Sequence, residues 1–313
     1  NLPVDGKKII EYRKAMSLEK QPKKMVVVGS GAIGSEFSYF YQTMGTEVTL
    51  VEYLPRIVPN EDEEVSKQLE RTFKKSGMKV MTNSSVEEVD TSGKMCKVKI
   101  KTKKGEETVE ADVVLSAVGI KANLENIGLE DVGVATDKGK IVVNDFYETN
   151  ISNVYAIGDC TPGPALAHVA SHEAITCVEK IAGLNPEPID YGNIPACTYC
   201  SPEIASVGMT EKQAKDEGYN IKVGKFPFSA SGKASAANHN DGFVKLIFDE
   251  KYGELLGAHM IGYNVTEMIA SVVSVRKLET TGHEIIKTVH PHPTMSEAVM
   301  EAAADAYDEV IHI

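Results

Sequence analysis

The chain lacks the cationic excess that a phosphate backbone demands. Its 33 basic residues are outnumbered by 45 acidic ones, giving a formal net charge of −12, which argues against nucleic acid as a partner. It also lacks a long apolar run: no window approaches the roughly eighteen uninterrupted apolar residues of a membrane span. Residues 1–21 are polar and have no apolar core of the signal-peptide kind. Cysteine is sparse and odd in number (Cys96, Cys160, Cys177, Cys197, Cys200), which fits a reducing compartment better than a disulphide scaffold. No internal repeat or low-complexity tract interrupts the 313 residues, a length that suggests two or three domains.

What is present reads as punctuated α/β units. Residues 1–21 form a connector, with room for a short strand. Met25-Val26-Val27-Val28 is an apolar run suited to a central parallel strand. A helix to about Met44 follows, stopped by Gly45, and Glu47–Val51 is the next strand. Asn60 is placed to cap a helix whose first turn is acidic (Glu61, Asp62, Glu63), whose buried stripe is Val65, Leu69 and Phe73, and whose end is marked by Lys74, Lys75 and Gly77. Short strands fill 79–110, with a hairpin at Lys104-Gly105, and Asp112–Gly119 returns as a buried strand. These pieces set domain boundaries at 22–119, 120–190 and 191–313. In the second unit, Val154–Asp159 reads as a strand ending in a carboxylate, ahead of a helix from about Ala165 to Ala182. In the third, Gly242–Phe248 and Leu255–Ala258 read as a hairpin turning near Lys251–Gly253.

Gly29-Ser30-Gly31-Ala32-Ile33-Gly34 is a G-x-G-x-x-G between a strand and a helix, with Glu52 at the end of the following strand. That context points to a dinucleotide site: the glycines permit a tight turn and close approach of a pyrophosphate to the helix N-terminus, and Glu52 accepts from ribose hydroxyls. A carboxylate there repels a 2′-phosphate, so the expected cofactor is NAD; Arg56, beyond Pro55, is the one residue arguing for NADP. The bland alternative is a glycine turn in a ligand-free unit. Near the C-terminus, His290-Pro291-His292-Pro293-Thr294-Met295-Ser296-Glu297 places a histidine between two prolines and just before a helix. Thr294 and Glu297 have capping-box spacing, and Met295, Val299 and Ala302 begin an apolar stripe. A histidine with a carboxylate one turn away has the reach and fixed tautomer of a general base; equally, Glu297 could only cap the helix. His168 and His172 are four apart, but no third metal ligand accompanies them. Cys197 and Cys200 sit where a strand directs them to opposite faces, which disfavours a dithiol.

The His290–Glu297 block resembles the C-terminal signature of the flavin-dependent pyridine nucleotide-disulphide oxidoreductases, most closely of the branch that oxidises dihydrolipoamide. The resemblance covers essentially the whole chain, and Gly262–Ile269 is similar to that branch's G-x-N-x-x-E-M-I. It implies an α/β architecture: a Rossmann-like NAD-binding domain, the remnant of an FAD-binding domain, and a C-terminal α+β dimerisation domain. It implies His292 as base and Glu297 as the residue that orients it. It further implies Gly119 among the NAD contacts, Asp159 on the ribityl and phosphate part of FAD, and Leu166, Ala167 and His168 facing the flavin. The implied reaction is oxidation of dihydrolipoamide to lipoamide, with electrons passing through a disulphide and FAD to NAD⁺. The implied partners are a second copy of the chain and the lipoyl domains of 2-oxoacid dehydrogenase complexes or the glycine cleavage system, in a bacterial cytoplasm or a mitochondrial matrix. The apolar run Met268–Val273 offers surface for the dimer or, as simply, an intrachain core.

Three features depart from the family pattern. A first G-x-G-x-x-G for the FAD adenylate half and a C-x-x-x-x-C redox pair are both missing from the 313 residues, so Asn1 is expected to begin a shortened chain, inactive by itself and weak or empty of FAD. Ile120 and Lys121 stand where arginines are common. Other readings are a non-catalytic NAD-binding and dimerisation module, or another NAD(P)H-dependent disulphide reductase of the same family.

Overall fold

The computed structural model describes residues 2–312; Asn1, on which the expectation of a shortened chain falls, lies outside them. The chain divides into two compact units, residues 1–118 together with 195–313, and residues 119–194. The first unit is built on two five-stranded sheets. In the parallel sheet the order is Ile9–Ile10, Val113–Ser116, Lys24–Val28, Glu47–Val51, Lys79–Met81. Lys24–Val28 lies at its centre, and Met25, Val26, Val27 and Val28 are all buried, as a strand covered on both faces requires. The expected connector thus supplies an edge strand through Ile9–Ile10. An antiparallel three-stranded sheet (Ser85–Asp90, Cys96–Thr102, Gly105–Ala111) follows, with the hairpin turn at Lys103-Lys104.

One helix boundary differs from the sequence expectation. The acidic helix runs Glu63–Lys75 and is capped by Asp62, whose carboxylate accepts from the Glu64 amide at 3.0 Å. Asn60 is not the cap, because the chain is still turning there: the Glu61 amide donates to the Val58 carbonyl. Val65, Leu69 and Phe73 are buried as expected. The C-terminal sheet is antiparallel, in the order Ala196–Thr198, Glu203–Gly208, Leu255–Gly262, Phe243–Asp249, Ile221–Pro227. Every residue of its two long strands is buried, because helices Val265–Lys277 and Glu297–Ala306 and the Glu63–Lys75 helix all pack against the sheet. Met268, Ile269 and Val272 belong to this intrachain core, so the Met268–Val273 run gives no motive for a dimer contact. Cys197 packs against that core while Cys200 joins the one shared with Met25 and Leu50, and both are free thiols.

The second unit holds helix Ala167–Ile181 and a two-stranded sheet, Thr136–Asp137 with Lys140–Ile141. Val154–Asp159 is not a strand. It makes one isolated bridge, Glu148 to Tyr155, and then closes into a 3-10 turn over Gly158–Cys160, because Gly158 at φ +75° leaves the extended region.

Candidate active site

The glycine turn lies between strand Lys24–Val28 and helix Ala32–Thr43. Its three glycines do different work. A Cβ on Gly34 would lie 1.9 Å from the Gly29 carbonyl oxygen, so turn and helix can close only without one. Gly29 adopts φ +94°, and a Cβ there would meet the Ala117 carbonyl at 2.5 Å. Gly31, at the helix N-cap, faces open space, with nothing within 4 Å of a built Cβ. No side chain caps that helix. Its first N–H groups are therefore left for an external acceptor, and the space beside Gly31 is the cradle a pyrophosphate fits.

Glu52 is buried at the end of strand Glu47–Val51. Its Oε2 accepts from the Ser30 amide at 2.9 Å and the Ser30 hydroxyl at 2.6 Å, and its Oε1 accepts from the Leu54 amide at 2.8 Å. A carboxylate offers about four lone-pair positions; three are taken by the protein, leaving one on Oε1. The sequence pointed to Glu52 but not to Ser30, the variable residue of the motif, which ties that carboxylate to the turn. Arg56 is directed elsewhere: its Nη2 donates to the Pro59 carbonyl at 3.0 Å, and it lines a cleft with Glu61 and Asp62. Burial pushes the Glu61 carboxyl up to about 7.

In the same unit, the His292 ring is held by Glu297. Nδ1 lies 2.8 Å from Oε1, and Oε2 accepts from the Thr294 amide at 2.8 Å. The His292 side chain is 79% exposed and that of Glu297 is 28% exposed. Partial burial raises the Glu297 carboxyl, but the Thr294 amide and the His292 ring outweigh it and hold the group below its ordinary range. Facing a carboxylate, Nδ1 carries the proton, which leaves the Nε2 lone pair free toward solvent. Only half of the expected capping box forms. Thr294 Oγ1 donates to the Pro291 carbonyl at 2.7 Å instead of accepting from the helix, which begins at Glu297. Met295, Val299 and Ala302 are buried beneath it. His290 turns to the Thr288 carbonyl.

In the second unit, Asp159 is exposed on its 3-10 turn, and Leu166, Ala167 and His168 open helix Ala167–Ile181 without a side-chain cap. An exposed carboxylate beside uncapped helix N–H groups suits a ligand with both hydroxyl and phosphate groups, the chemistry of the FAD ribityl chain. His172 is exposed on the same helix. Among the described residues no His, Cys, Asp and Glu set could hold a metal, and no helix is long and apolar enough to cross a membrane. Gly119 adopts φ +138° with open space around it. Lys121 pairs with Glu125. The residue sequence reasoning overlooked is Glu173, buried in the middle of helix Ala167–Ile181, where it accepts from the Gly158 amide at 2.5 Å and the Tyr191 hydroxyl at 2.6 Å. The signal was available: Glu173 falls on the same face as Val169, Thr176 and Cys177, a polar acid inside a buried stripe.

Comparison with known proteins gives the family. The family model described as pyridine nucleotide-disulphide oxidoreductase matches residues 2–174, and the dimerisation domain of the same family matches residues 194–303. A dihydrolipoyl dehydrogenase of Rhizobium etli is 47% identical over 98% of this chain and 64% of its own length. The Bacillus subtilis enzyme of that name is 44% identical over 99% of this chain and 66% of its own, and the mitochondrial one of Pisum sativum is 42% identical over 99% and 62%. Among solved structures, LpdA from Mycobacterium tuberculosis superimposes with a TM-score of 0.88 at 27% identity, covering 96% of this chain and 65% of that one. The chain therefore spans about two thirds of the length of the proteins it matches.

Proposed function

Since the chain belongs to the pyridine nucleotide-disulphide oxidoreductases, we propose that it binds NAD(H) at the Gly29–Gly34 turn and supplies the proton acceptor for oxidation of dihydrolipoamide to lipoamide. The observation that carries this reading is the exposed His292 ring, pinned by Glu297 at 2.8 Å with its outer nitrogen free. Oxidising a dithiol requires a thiol proton to leave, and a neutral imidazole whose tautomer is fixed is suited to take it. Glu297 holds Nδ1–H in place and so leaves Nε2 to accept, a division of labour familiar from histidine–carboxylate pairs. FAD, when bound, carries the electron pair between disulphide and nicotinamide. Asp159 and the open end of helix Ala167–Ile181 would hold its ribityl and phosphate part, with Leu166, Ala167 and His168 facing its ring.

At the dinucleotide site, helix Ala32–Thr43 offers N–H groups to the pyrophosphate and the remaining lone pair of Glu52 accepts from the adenosine ribose, while Gly119 is a further NAD contact on the family resemblance alone. Its negative charge disfavours a 2′-phosphate, and Arg56 is engaged with Pro59, so NAD(H) is preferred over NADP(H). No two of the five cysteines have the C-x-x-x-x-C spacing of the exchange disulphide. By itself the 313-residue polypeptide is thus expected to bind NAD(H), hold FAD weakly and leave dihydrolipoamide unoxidised. The domain matching residues 194–303 supports a two-fold homodimer. The proposed dihydrolipoamide chemistry would make lipoyl domains of 2-oxoacid dehydrogenase complexes or the glycine cleavage system its partners, in a bacterial cytoplasm or mitochondrial matrix. Calorimetric titration with NADH and NADPH tests the cofactor assignment: NADH should bind more tightly, and equal affinities would sink the role given to Glu52.

A further inference from the structure

Burying a carboxylate in a helix interface costs several kcal/mol unless donors meet both oxygens. Glu173 is 1% exposed, and both its oxygens are met: Oε2 by the Gly158 amide at 2.5 Å, Oε1 by the Tyr191 hydroxyl at 2.6 Å. Tyr191 is itself fixed. Its hydroxyl lies 3.1 Å from that of Tyr147, which is 3% exposed, and its ring lies so close to Gly163 that a Cβ there would meet it at 3.0 Å. Gly163 belongs to the loop joining the Gly158–Cys160 turn to helix Ala167–Ile181. At the other end of the turn, a Cβ on Gly158 would approach the Ala170 methyl at 3.2 Å. Burial and the bond to Glu173 both raise the Tyr191 hydroxyl above its ordinary range, so it remains a donor.

We infer that Glu173 is a positioning residue for the flavin: by accepting from Gly158 N–H, and being braced by Tyr191, it sets the 3-10 turn that presents Asp159 outward. This rests on the proposed flavin reading of Asp159. A helix-borne carboxylate, a loop-borne phenol and a turn amide then form one connected network, and a fully satisfied buried network of this kind specifies a single arrangement. A neutral amide in place of Glu173 cannot accept on both atoms, so one of the two donors is left without a partner.

The test uses the flavin-loaded enzyme with Glu173→Gln and Tyr191→Phe, the second keeping the ring against Gly163. Glu173→Gln should weaken FAD binding by about tenfold or more, as loss of a charge-assisted hydrogen bond implies, and shift the flavin absorption band. Tyr191→Phe should do so by less. Amide exchange in the 313-residue chain should rise at residues 158–161, while NADH affinity stays within about twofold of the unsubstituted protein. FAD affinity unchanged in Glu173→Gln would overturn the inference. So would faster exchange along the whole of helix 167–181 with both nucleotides weakened, since that marks a merely structural acid. Failure of the unsubstituted enzyme that carries the redox disulphide to take up FAD would overturn the flavin reading and this role with it, while NADH titration of the 313-residue chain would still report separately on the Gly29 turn.

Discussion

Lys245→Met is expected to destabilise the first unit by about 3 kcal/mol. The Lys245 ammonium is 1% exposed and meets three carboxylates: Asp62 at 3.1 Å, Glu64 at 2.9 Å and Glu211 at 2.7 Å. It joins the capped end of helix Glu63–Lys75 to strand Phe243–Asp249 and helix Glu211–Asp216, so it ties the glycine-turn half of the unit to the His292 half. Burial alone would lower the ammonium, but Glu211, Glu64 and Asp62 outweigh burial and hold it charged. Removing one partner of a buried ion pair costs about 3–5 kcal/mol, because the other charge stays buried. Here the lower end applies: Asp62, 3% exposed, would lose its counter-charge and keep only the Glu64 amide, whereas Glu64 and Glu211, at 40% and 31%, regain water. Methionine keeps most of the aliphatic volume, so little cavity cost is added. For a chain of this size the melting temperature should fall by about 6 °C, near 2 °C per kcal/mol. Hydrogen bonds from Lys215 and Lys245 depress Glu211 to about 2. A depressed carboxyl contributes stability above its ordinary 4.5, lost as pH falls toward 2; the raised lysine contributes below its ordinary 10.5, lost only as pH rises beyond it. The Lys245→Met deficit should therefore be full between about pH 5 and 10 and shrink on acidification, as read by calorimetric melting. A loss below about 2 °C at pH 7, or a deficit that persists unchanged at pH 2.5, would refute this account.

Gly34→Ala should abolish measurable NADH binding, since its methyl would sit 1.9 Å from the Gly29 carbonyl and the turn must open; calorimetric affinity near that of the unsubstituted protein would disprove the close-approach argument. In enzyme that carries FAD and the redox disulphide, His292→Gln should lower kcat by about 10²–10⁴-fold, the usual contribution of a positioned acid–base group, and Glu297→Gln by less. A Glu297→Gln enzyme that melts earlier while kcat and its pH profile stay unchanged would show the residue to be only a helix-start carboxylate.

Periodicity and punctuation were enough to place the secondary structure that carries the nucleotide site. Val26–Val28 could only be a strand covered on both faces, the glycines after it could only be a tight turn, and Val65, Leu69 and Phe73 could only be one helix face, because each pattern follows from local geometry. Local spacing also brought His292 within reach of Glu297, five residues away. It failed where the backbone had an alternative partner. Thr294 bonds to Pro291 rather than the helix, Asn60 lies in a turn that delays the helix to Asp62, and Gly158 turns Val154–Asp159 out of a strand. What only tertiary structure decided were pairings between residues far apart in sequence. Ser30 on Glu52, Tyr191 on Glu173 and three carboxylates on Lys245 are invisible to any window of the chain. Met268, Ile269 and Val272 read equally as interface or core until the sheet beneath them was placed. The physical reason is the same in each case: a pattern reports that a side chain must be buried or satisfied, while the fold alone supplies what satisfies it.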